Sequence, residues 1–189
     1  MSGENIEGIM QTTNSELARI LIPSEKIQRR VVEMADQISQ DYQDVNKLYL
    51  IGILKGAFIF LADLTRHLKI PHIVDFMALS SYGKTSTSGA VRIIMDLREP
   101  IDDQHVLIVE DIVDTGQTLN YLHRILKGRN PASLRNCVMV KKNRKQYPGD
   151  IVPIDYLGFE IPDVWVVGYG LDYADRHRTL PYIAELKMD

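Results

Sequence analysis

The segment VLIVEDIVDTGQTL, residues 106–119, joins an apolar run to two adjacent carboxylates and a small polar turn. Four apolar residues precede Glu110 and Asp111, and Asp114 begins a turn that continues to Thr118. The apolar run predicts a buried strand. In open α/β sheets, ligands bind beyond the carboxyl ends of the strands. The segment therefore predicts a ligand site at the end of a central strand.

The surrounding chain alternates between strand and helix patterns. Strands are predicted at 47–54, 72–80, 90–97, 105–110 and 133–140, and helices at 24–41, 56–68 and 117–128. Ser24 is a favourable N-cap for the first helix. Short apolar strands that alternate with helices indicate an α/β fold with a mostly parallel sheet flanked by helices.

The composition limits the class of protein. The 189-residue chain suits a single domain, residues 1–189. The net charge of -3 gives no reason to expect a nucleic-acid partner. No apolar segment approaches the length of a membrane span, so no membrane partner is expected. With one cysteine, Cys137, the chain has no intrachain disulfide. We expect a cytoplasmic protein.

The turn after the acid pair has the features of a phosphate site. A helix that begins near Thr115 or Gly116 would present unpaired backbone N–H groups to an anion. The hydroxyls of Thr115 and Thr118 would lie beside them, with Gln117 between. The adjacent acids would repel phosphate but suit sugar hydroxyls or Mg²⁺. We therefore expect a phosphorylated sugar. The alternative is a strand whose helix is simply N-capped by Asp114, with both acids solvated.

The same segment resembles the diphosphoribosyl-binding motif of the type I phosphoribosyltransferases, in particular their 6-oxopurine branch. The resemblance extends over most of residues 47–180. It implies the type I phosphoribosyltransferase fold, in which a small hood subdomain would be formed by the N-terminal segment and roughly residues 150–189. By this resemblance, Glu110 and Asp111 and the turn from Asp114 to Thr118 would bind the phosphoribosyl group.

Two further segments resemble the family's pyrophosphate side. GILKGAF contains Lys55 and Gly56, which would contact pyrophosphate through a loop with an unusual Leu-Lys peptide geometry. SSYGKTSTSG resembles the mobile loop, with Ser81 and Tyr82 as its Ser-Tyr pair. A polar loop of this kind could exclude water during transfer. The alternative for this loop is a disordered hairpin tip.

The C-terminal segments resemble the family's purine and metal side. VMVKK would supply Lys141 as the purine-recognising lysine. In GFEIPDVWVVGYGLDYADRHR, Trp165 would stack on the base and Val166 would lie at its edge. Asp172 would contact the purine site and the metal, and Arg178 would bind pyrophosphate. The alternatives are that Lys141 belongs to a solvated basic run and that Trp165 is a core residue.

The resemblance also implies a reaction. Phosphoribosyl pyrophosphate and hypoxanthine or guanine would give IMP or GMP, with Asp114 as the catalytic acid/base. Mg²⁺ would be the cofactor, held near Glu110, Asp111 and Asp172. A homodimer or homotetramer is expected. Two alternatives remain: a phosphoribosyltransferase for another base, and a regulatory protein that retains the pocket without catalysis. The presence of the expected catalytic groups disfavours the regulatory protein.

Overall fold

A computed structural model describes residues 16–81, 91–145, 149 and 151–188. The strands are β1 Leu17–Ile22, β2 Leu48–Leu54, β3 His72–Ser81, β4 Val91–Met95, β5 His105–Val113, β6 Ser133–Asn143, β7 Tyr156–Pro162, β8 Val166–Val167 and β9 Ile183–Leu186. The helices are α1 Ser24–Asp41, α2 Phe58–His67 and α3 Gln117–Lys127. The predicted strands and helices are all present, with some boundaries shifted.

Six strands form the main sheet in the order β4-β3-β2-β5-β6-β7. β3, β2, β5, β6 and β7 are mutually parallel neighbours, and only the edge pair β3–β4 is antiparallel. The predicted mostly parallel sheet is therefore confirmed. Because β5 lies in the middle, its carboxyl end is bordered on both sides by the ends of parallel strands.

Both faces of this sheet are buried. Leu107 and Val109 of β5 pack in one cluster with residues of α1 and α2, whereas Val106 and Ile108 pack in a second cluster with residues of α3. Successive residues of a strand point to opposite faces, so a strand buried on both sides requires an unbroken apolar run. The apolar segment that precedes the acid pair meets this requirement.

The helix boundaries differ in detail from those predicted. Ser24 is the first residue of α1 rather than its N-cap, because Pro23 has the extended N-cap backbone and its carbonyl accepts the Lys26 and Ile27 N–H groups, each at 3.1 Å. α3 begins at Gln117 and is followed by Gly128 as its C-cap. Among the described residues, none of the helices has both the length and the apolar character needed to span a bilayer.

A second sheet joins the two ends of the described chain. Its three strands have the order β1-β9-β8, and β1 pairs antiparallel with β9. The small cluster of Leu17, Val167, Ala184 and Leu186 packs this sheet. β7, in contrast, belongs to the main sheet. The hood subdomain and the single-domain boundaries stay predictions.

Candidate active site

A cleft of about 310 Å³ opens where β2 and β5 end. The two strands are parallel neighbours, so their carboxyl ends and the loops that follow share one edge of the sheet. Ten of the predicted site residues line this cleft: Lys55, Gly56, Glu110, Asp111, Asp114, Thr115, Gly116, Thr118, Asp172 and Arg178. Residues that are distant in sequence are thus brought together at the edge that the sequence indicated.

The adjacent acids are held in an environment that disfavours two negative charges. Glu110 is only 4% exposed, and burial together with the neighbouring Asp111 raises its pKa well above the usual value. Burial raises the pKa of Asp111 to about 6, while the Ile112 N–H, 2.8 Å from its Oδ1, and the charge of Arg178 act in the opposite direction. A bound cation or a set of hydroxyl donors would relieve this repulsion.

The turn adopts the geometry of a helix N-terminus. Gly116 occupies the N-cap position of α3 with a φ of 79°, a left-handed conformation that favours glycine. The Gln117 N–H lies 3.5 Å from Thr115 Oγ1. Gln117 and Thr118 are exposed at the first turn of α3. This places the positive end of the helix dipole at the cleft.

Asp114 does not cap the helix, and the simple N-cap alternative is wrong. The N-cap of α3 is Gly116, and it has no side-chain capping hydrogen bond. The Asp114 carboxylate instead faces two cations: Arg144 Nη2 lies 2.7 Å from Oδ1, and Lys142 Nζ lies 3.4 Å from Oδ2. Both cations also approach Asp163 Oδ1, at 3.1 Å from Arg144 and 3.8 Å from Lys142. The carboxylate is therefore oriented by charges at the end of β6.

The structure directs Lys142, not Lys141, toward Asp114. Lys141 lies beside Glu160 of β7, with its Nζ 3.4 Å from Oε1, and neither lysine lines the 310 Å³ cleft. Successive strand residues point to opposite sides, so the two adjacent lysines cannot share one environment. The Lys142 side chain is 7% exposed, compared with 28% for Lys141. Lys142 is therefore the lysine that lies beside Asp114, and the purine-binding role predicted for Lys141 stays a prediction.

Trp165 is an exposed ring beside this charged cluster. Its exposed fraction is 53%, so the core alternative is wrong. Lys142 Nζ lies 5.4 Å from the ring centroid, and the Tyr173 ring packs against Trp165 edge-on at 5.9 Å. Trp165 does not line the 310 Å³ cleft. Its neighbour Lys142, however, lies 3.4 Å from Asp114, which does line the cleft. Val166, in contrast, is buried in the core, so only its backbone could meet a ligand.

The opposite wall of the cleft carries Lys55, Asp172 and Arg178. The Leu54–Lys55 peptide bond is cis, in agreement with the unusual geometry that the resemblance implied. Arg178 Nη2 lies 2.7 Å from Asp172 Oδ1, and its Nη1 donates to the Gly170 carbonyl at 2.8 Å. The wall thus carries two cations, and two carboxylates restrain the guanidinium, since Asp175 Oδ1 also lies 3.0 Å from Arg178 Nη2.

Close backbone packing joins the two walls. A Cβ built on Gly56 would overlap the Asp111 carboxylate, and a Cβ built on Gly170 would overlap the Gly56 carbonyl. Gly170 also has a φ of 102°, in the left-handed region. The acid pair, the Lys55 loop and the segment that bears Arg178 therefore contact one another only because two glycines lack side chains.

Three further predictions concern the mobile loop, Gln117 and the metal. Ser81 is the last residue of β3, and Tyr82 lies outside the described residues, as does most of the predicted mobile loop. Gln117 does not line the cleft, although it begins the helix beside it. Within the described ranges, no group of three or more His, Cys, Asp or Glu residues is arranged to hold a metal ion.

Sequence reasoning missed Lys142, Arg144, Asp163 and Asp175. Lys142 and Arg144 pair with Asp114, Asp163 approaches these two cations, and Asp175 pairs with Lys55. One sequence signal was available for Lys142, because VMVKK contains two lysines and only one can face the site. The apolar run before them shows no alternation, since both faces of β6 are buried.

Comparisons with known proteins agree with this geometry. The family model described as phosphoribosyl transferase domain matches residues 21–174. A hypoxanthine-guanine phosphoribosyltransferase of Dictyostelium discoideum is 48% identical over 172 residues, which cover 89% of this chain and 94% of that protein. The crystal structure of a hypoxanthine-guanine phosphoribosyltransferase from Bacillus anthracis has a TM-score of 0.85 and 39% identity, covering 91% of this chain and 100% of the other. The hypoxanthine phosphoribosyltransferase of Trypanosoma cruzi in complex with the product IMP has a TM-score of 0.84 and 44% identity, covering 91% and 95%.

Proposed function

This chain belongs to the phosphoribosyltransferase family, among the hypoxanthine-guanine phosphoribosyltransferases, and on that premise we propose that it is a purine-salvage enzyme. It transfers the phosphoribosyl group of phosphoribosyl pyrophosphate to hypoxanthine or guanine and releases pyrophosphate with IMP or GMP. The observation that carries the proposal is the cleft itself, which gathers the acid pair, the turn after it, Lys55 and Arg178.

The 5′-phosphate binds at the turn from Asp114 to Thr118. The N-terminal N–H groups of α3 and its dipole favour an anion there. The Thr115 and Thr118 hydroxyls supply further donors at the lining of the cleft. Gly116 adopts the left-handed backbone of the turn, which favours glycine, and Gln117 flanks the turn. The phosphate thus anchors the sugar over the neighbouring acids.

Glu110 and Asp111 bind the ribose hydroxyls. Their electrostatic field stabilises positive charge that develops on the sugar ring as the bond to pyrophosphate breaks. Burial raises the pKa values of both carboxyl groups, and sugar hydroxyl donors favour the ionised form. The acid pair therefore binds the substrate and stabilises its transition state.

The same carboxylates fit Mg²⁺. Oε1 of Glu110 is buried and receives no hydrogen bond from the described residues, and Asp111 and Asp172 add carboxylate oxygens to the cleft. Mg²⁺ prefers oxygen ligands and retains several waters, so it does not require a cluster of protein ligands. When bound, Mg²⁺ would neutralise charge on the diphosphate.

Lys55, Gly56 and Arg178 bind the leaving pyrophosphate. Lys55 and Arg178 lie on the same wall and provide an ammonium and a guanidinium, which both donate to phosphate oxygens. Gly56 permits the loop to pack against Asp111, so the diphosphate and ribose sites are adjacent. Stabilising the departing negative charge lowers the barrier to transfer.

The purine binds between Trp165 and the charged cluster at Asp114. The exposed Trp165 ring offers a stacking surface, and the backbone of Val166 lies beside it. One imidazole nitrogen of the purine forms the new bond to the ribose. Asp114 holds or accepts the proton of the other imidazole nitrogen. Lys142, in place of the predicted Lys141, donates to the 6-oxo group, a role supported by its 3.4 Å distance from Asp114 Oδ2.

Lys142 also explains why adenine is disfavoured. An ammonium donates hydrogen bonds and cannot accept one. The 6-oxo group of hypoxanthine or guanine accepts from it, whereas the 6-amino group of adenine places two donors in contact. A buried donor without an acceptor is costly, so this contact discriminates strongly.

An activity assay tests the proposal. Purified protein is incubated with phosphoribosyl pyrophosphate and hypoxanthine, guanine, xanthine or adenine, with Mg²⁺ or with a chelator. We expect monophosphate from 6-oxopurines only, and only with Mg²⁺. Product from adenine alone would overturn the proposed base class. If folded protein binds the sugar diphosphate but makes no product with any base, a binding role without catalysis is favoured instead.

We also propose a homodimer or homotetramer that works in the cytoplasm. Exposed apolar side chains on α2 and on β3 and β4, among them Phe58, Val74 and Ile94, support an assembly surface. The buried free thiol of Cys137 is compatible with a reducing compartment. Light scattering of purified protein tests the assembly, and cell fractionation tests the location.

A further inference from the structure

Two cations of the diphosphate wall converge on one carboxylate oxygen. Lys55 Nζ lies 2.9 Å and Arg178 Nη2 lies 3.0 Å from the same Oδ1 of Asp175. We propose that Asp175 is an intramolecular competitor that occupies the pyrophosphate subsite and promotes release of this product. The inference rests on the proposed function, because that function assigns Lys55 and Arg178 to pyrophosphate.

The local backbone presents Asp175 for this role. Its N–H donates to Asp172 Oδ2 at 2.7 Å, and its φ of 59° lies in the left-handed region. An isolated bridge between Tyr173 and Arg176 closes the turn around it. Asp and Asn tolerate left-handed backbone better than most residues, because their side chains bond locally. The turn therefore directs a short carboxylate back toward the cleft wall.

The carboxylate oxygen of Asp175 stands in for a phosphate oxygen. Both are anionic acceptors for ammonium and guanidinium donors. An aspartate carboxylate is ionised at neutral pH, so it presents negative oxygens to the same two donors as a phosphate would. The Asp175 side chain is 68% exposed, so water screens the contact and an incoming polyanion can displace it.

If the Asp175 carboxylate moved away, Lys55 would be freer to bind pyrophosphate than Arg178. Arg178 would still contact Asp172 Oδ1 at 2.7 Å, whereas Asp175 is the only carboxylate that Lys55 contacts among the described residues. Pyrophosphate must displace Asp175 from Lys55 and Arg178 when it binds. Asp175 pairs with both cations again when pyrophosphate leaves. The consequence is weaker pyrophosphate binding and weaker inhibition by this product.

Binding of Mg²⁺-pyrophosphate to the full chain, measured by calorimetry, tests this inference. Asp175→Asn and Asp175→Gly both suit the left-handed backbone, and both remove the competing charge. We expect each to bind pyrophosphate about two- to fivefold more tightly, with a matching fall in the product-inhibition constant. Asp36→Asn is the matched control, because it removes one charge from an exposed pair with Lys69 elsewhere (2.7 Å).

The outcomes separate this inference from the proposed function. Unchanged or weaker pyrophosphate binding by both Asp175 variants, in protein whose parent chain makes monophosphate, overturns the inference alone. Equal tightening by Asp36→Asn also overturns it, since net charge would then be the cause. Tighter binding by the Asp175 variants, in protein that makes no monophosphate, supports the competing carboxylate and refutes the proposed reaction.

Discussion

Lys142 and Asp114 face each other across the end of β6, with Nζ of the lysine 3.4 Å from Oδ2 of the aspartate. The same ammonium lies 5.4 Å from the centroid of the Trp165 ring. One lysine thus connects the carboxylate proposed for proton transfer to the aromatic surface proposed for the base. On the purine side, Asp114, Lys142 and Trp165 therefore form one contiguous cluster.

Replacing Lys142 should impair use of 6-oxopurines. Lys142→Ala is expected to lower kcat/KM for hypoxanthine roughly 10- to 100-fold, because a charged hydrogen bond to the base is lost. Lys141→Ala is the matched control and should change it by less than about twofold, because this side chain pairs with Glu160 outside the cleft. Steady-state kinetics with each base provide the measurement. A larger loss in the Lys141 variant would restore Lys141 to the site.

Replacing Asp114 should affect turnover more than sugar-diphosphate binding. Asp114→Asn retains the size of the side chain but loses its ability to accept a proton, so kcat should fall roughly 10²- to 10⁴-fold. Calorimetric titration with phosphoribosyl pyrophosphate should give nearly unchanged affinity. Normal turnover in this variant would remove Asp114 from the chemistry. Asp163→Asn, whose carboxylate also approaches Lys142 and Arg144, is the comparison, and we expect a smaller effect on kcat.

A side chain at Gly56 should separate the two walls of the cleft. The Cβ of Gly56→Ala would overlap the Asp111 carboxylate, so the loop or the acid must shift. We expect a loss of about 1–3 kcal/mol in the free energy of unfolding, together with weaker binding of phosphoribosyl pyrophosphate. Gly128→Ala is the control, because its Cβ would meet the Ile125 carbonyl at an ordinary 3.4 Å. Denaturant unfolding of both variants would show whether the Gly56 effect is specific.

The acid pair should make the ligand-free protein less stable as pH rises. The pKa of Asp111 is raised from 3.8 to about 6, so the native state keeps a proton that the unfolded chain has lost. The contribution of Asp111 to stability is therefore fully present below the unfolded pKa, near 4, and is lost as pH rises through about 6. The raised pKa of Glu110 extends this loss to higher pH.

The pH dependence can be measured by urea unfolding at about pH 5 and about pH 8. We expect the wild type to lose on the order of 1–3 kcal/mol between them, and Asp111→Asn to lose less. Mg²⁺ with phosphoribosyl pyrophosphate should restore wild-type stability at the higher pH, because it binds the ionised acids. The same pH slope in both proteins would contradict the assigned cause.

The sequence by itself determined the mostly parallel sheet and the position of the cleft. Alternating strand and helix patterns indicate this class of fold, since a central strand buried on both faces requires an unbroken apolar run. Adjacent acids after such a run, followed by Asp-Thr-Gly-x-Thr, are a local pattern that a short segment can specify. The segments with Lys55 and Arg178 could likewise be recognised one at a time.

Only the tertiary structure decided which side chains meet. Both faces of β6 are buried, so its sequence has no alternation that would distinguish Lys141 from Lys142. The cations beside Asp114 come from β6 and from the residue that follows it, and the contact between Lys55 and Asp175 joins positions 120 residues apart. Such contacts depend on sheet register, on close approach at Gly56, and on a left-handed turn at Asp175. These are properties of the packed chain, because no local segment contains both partners.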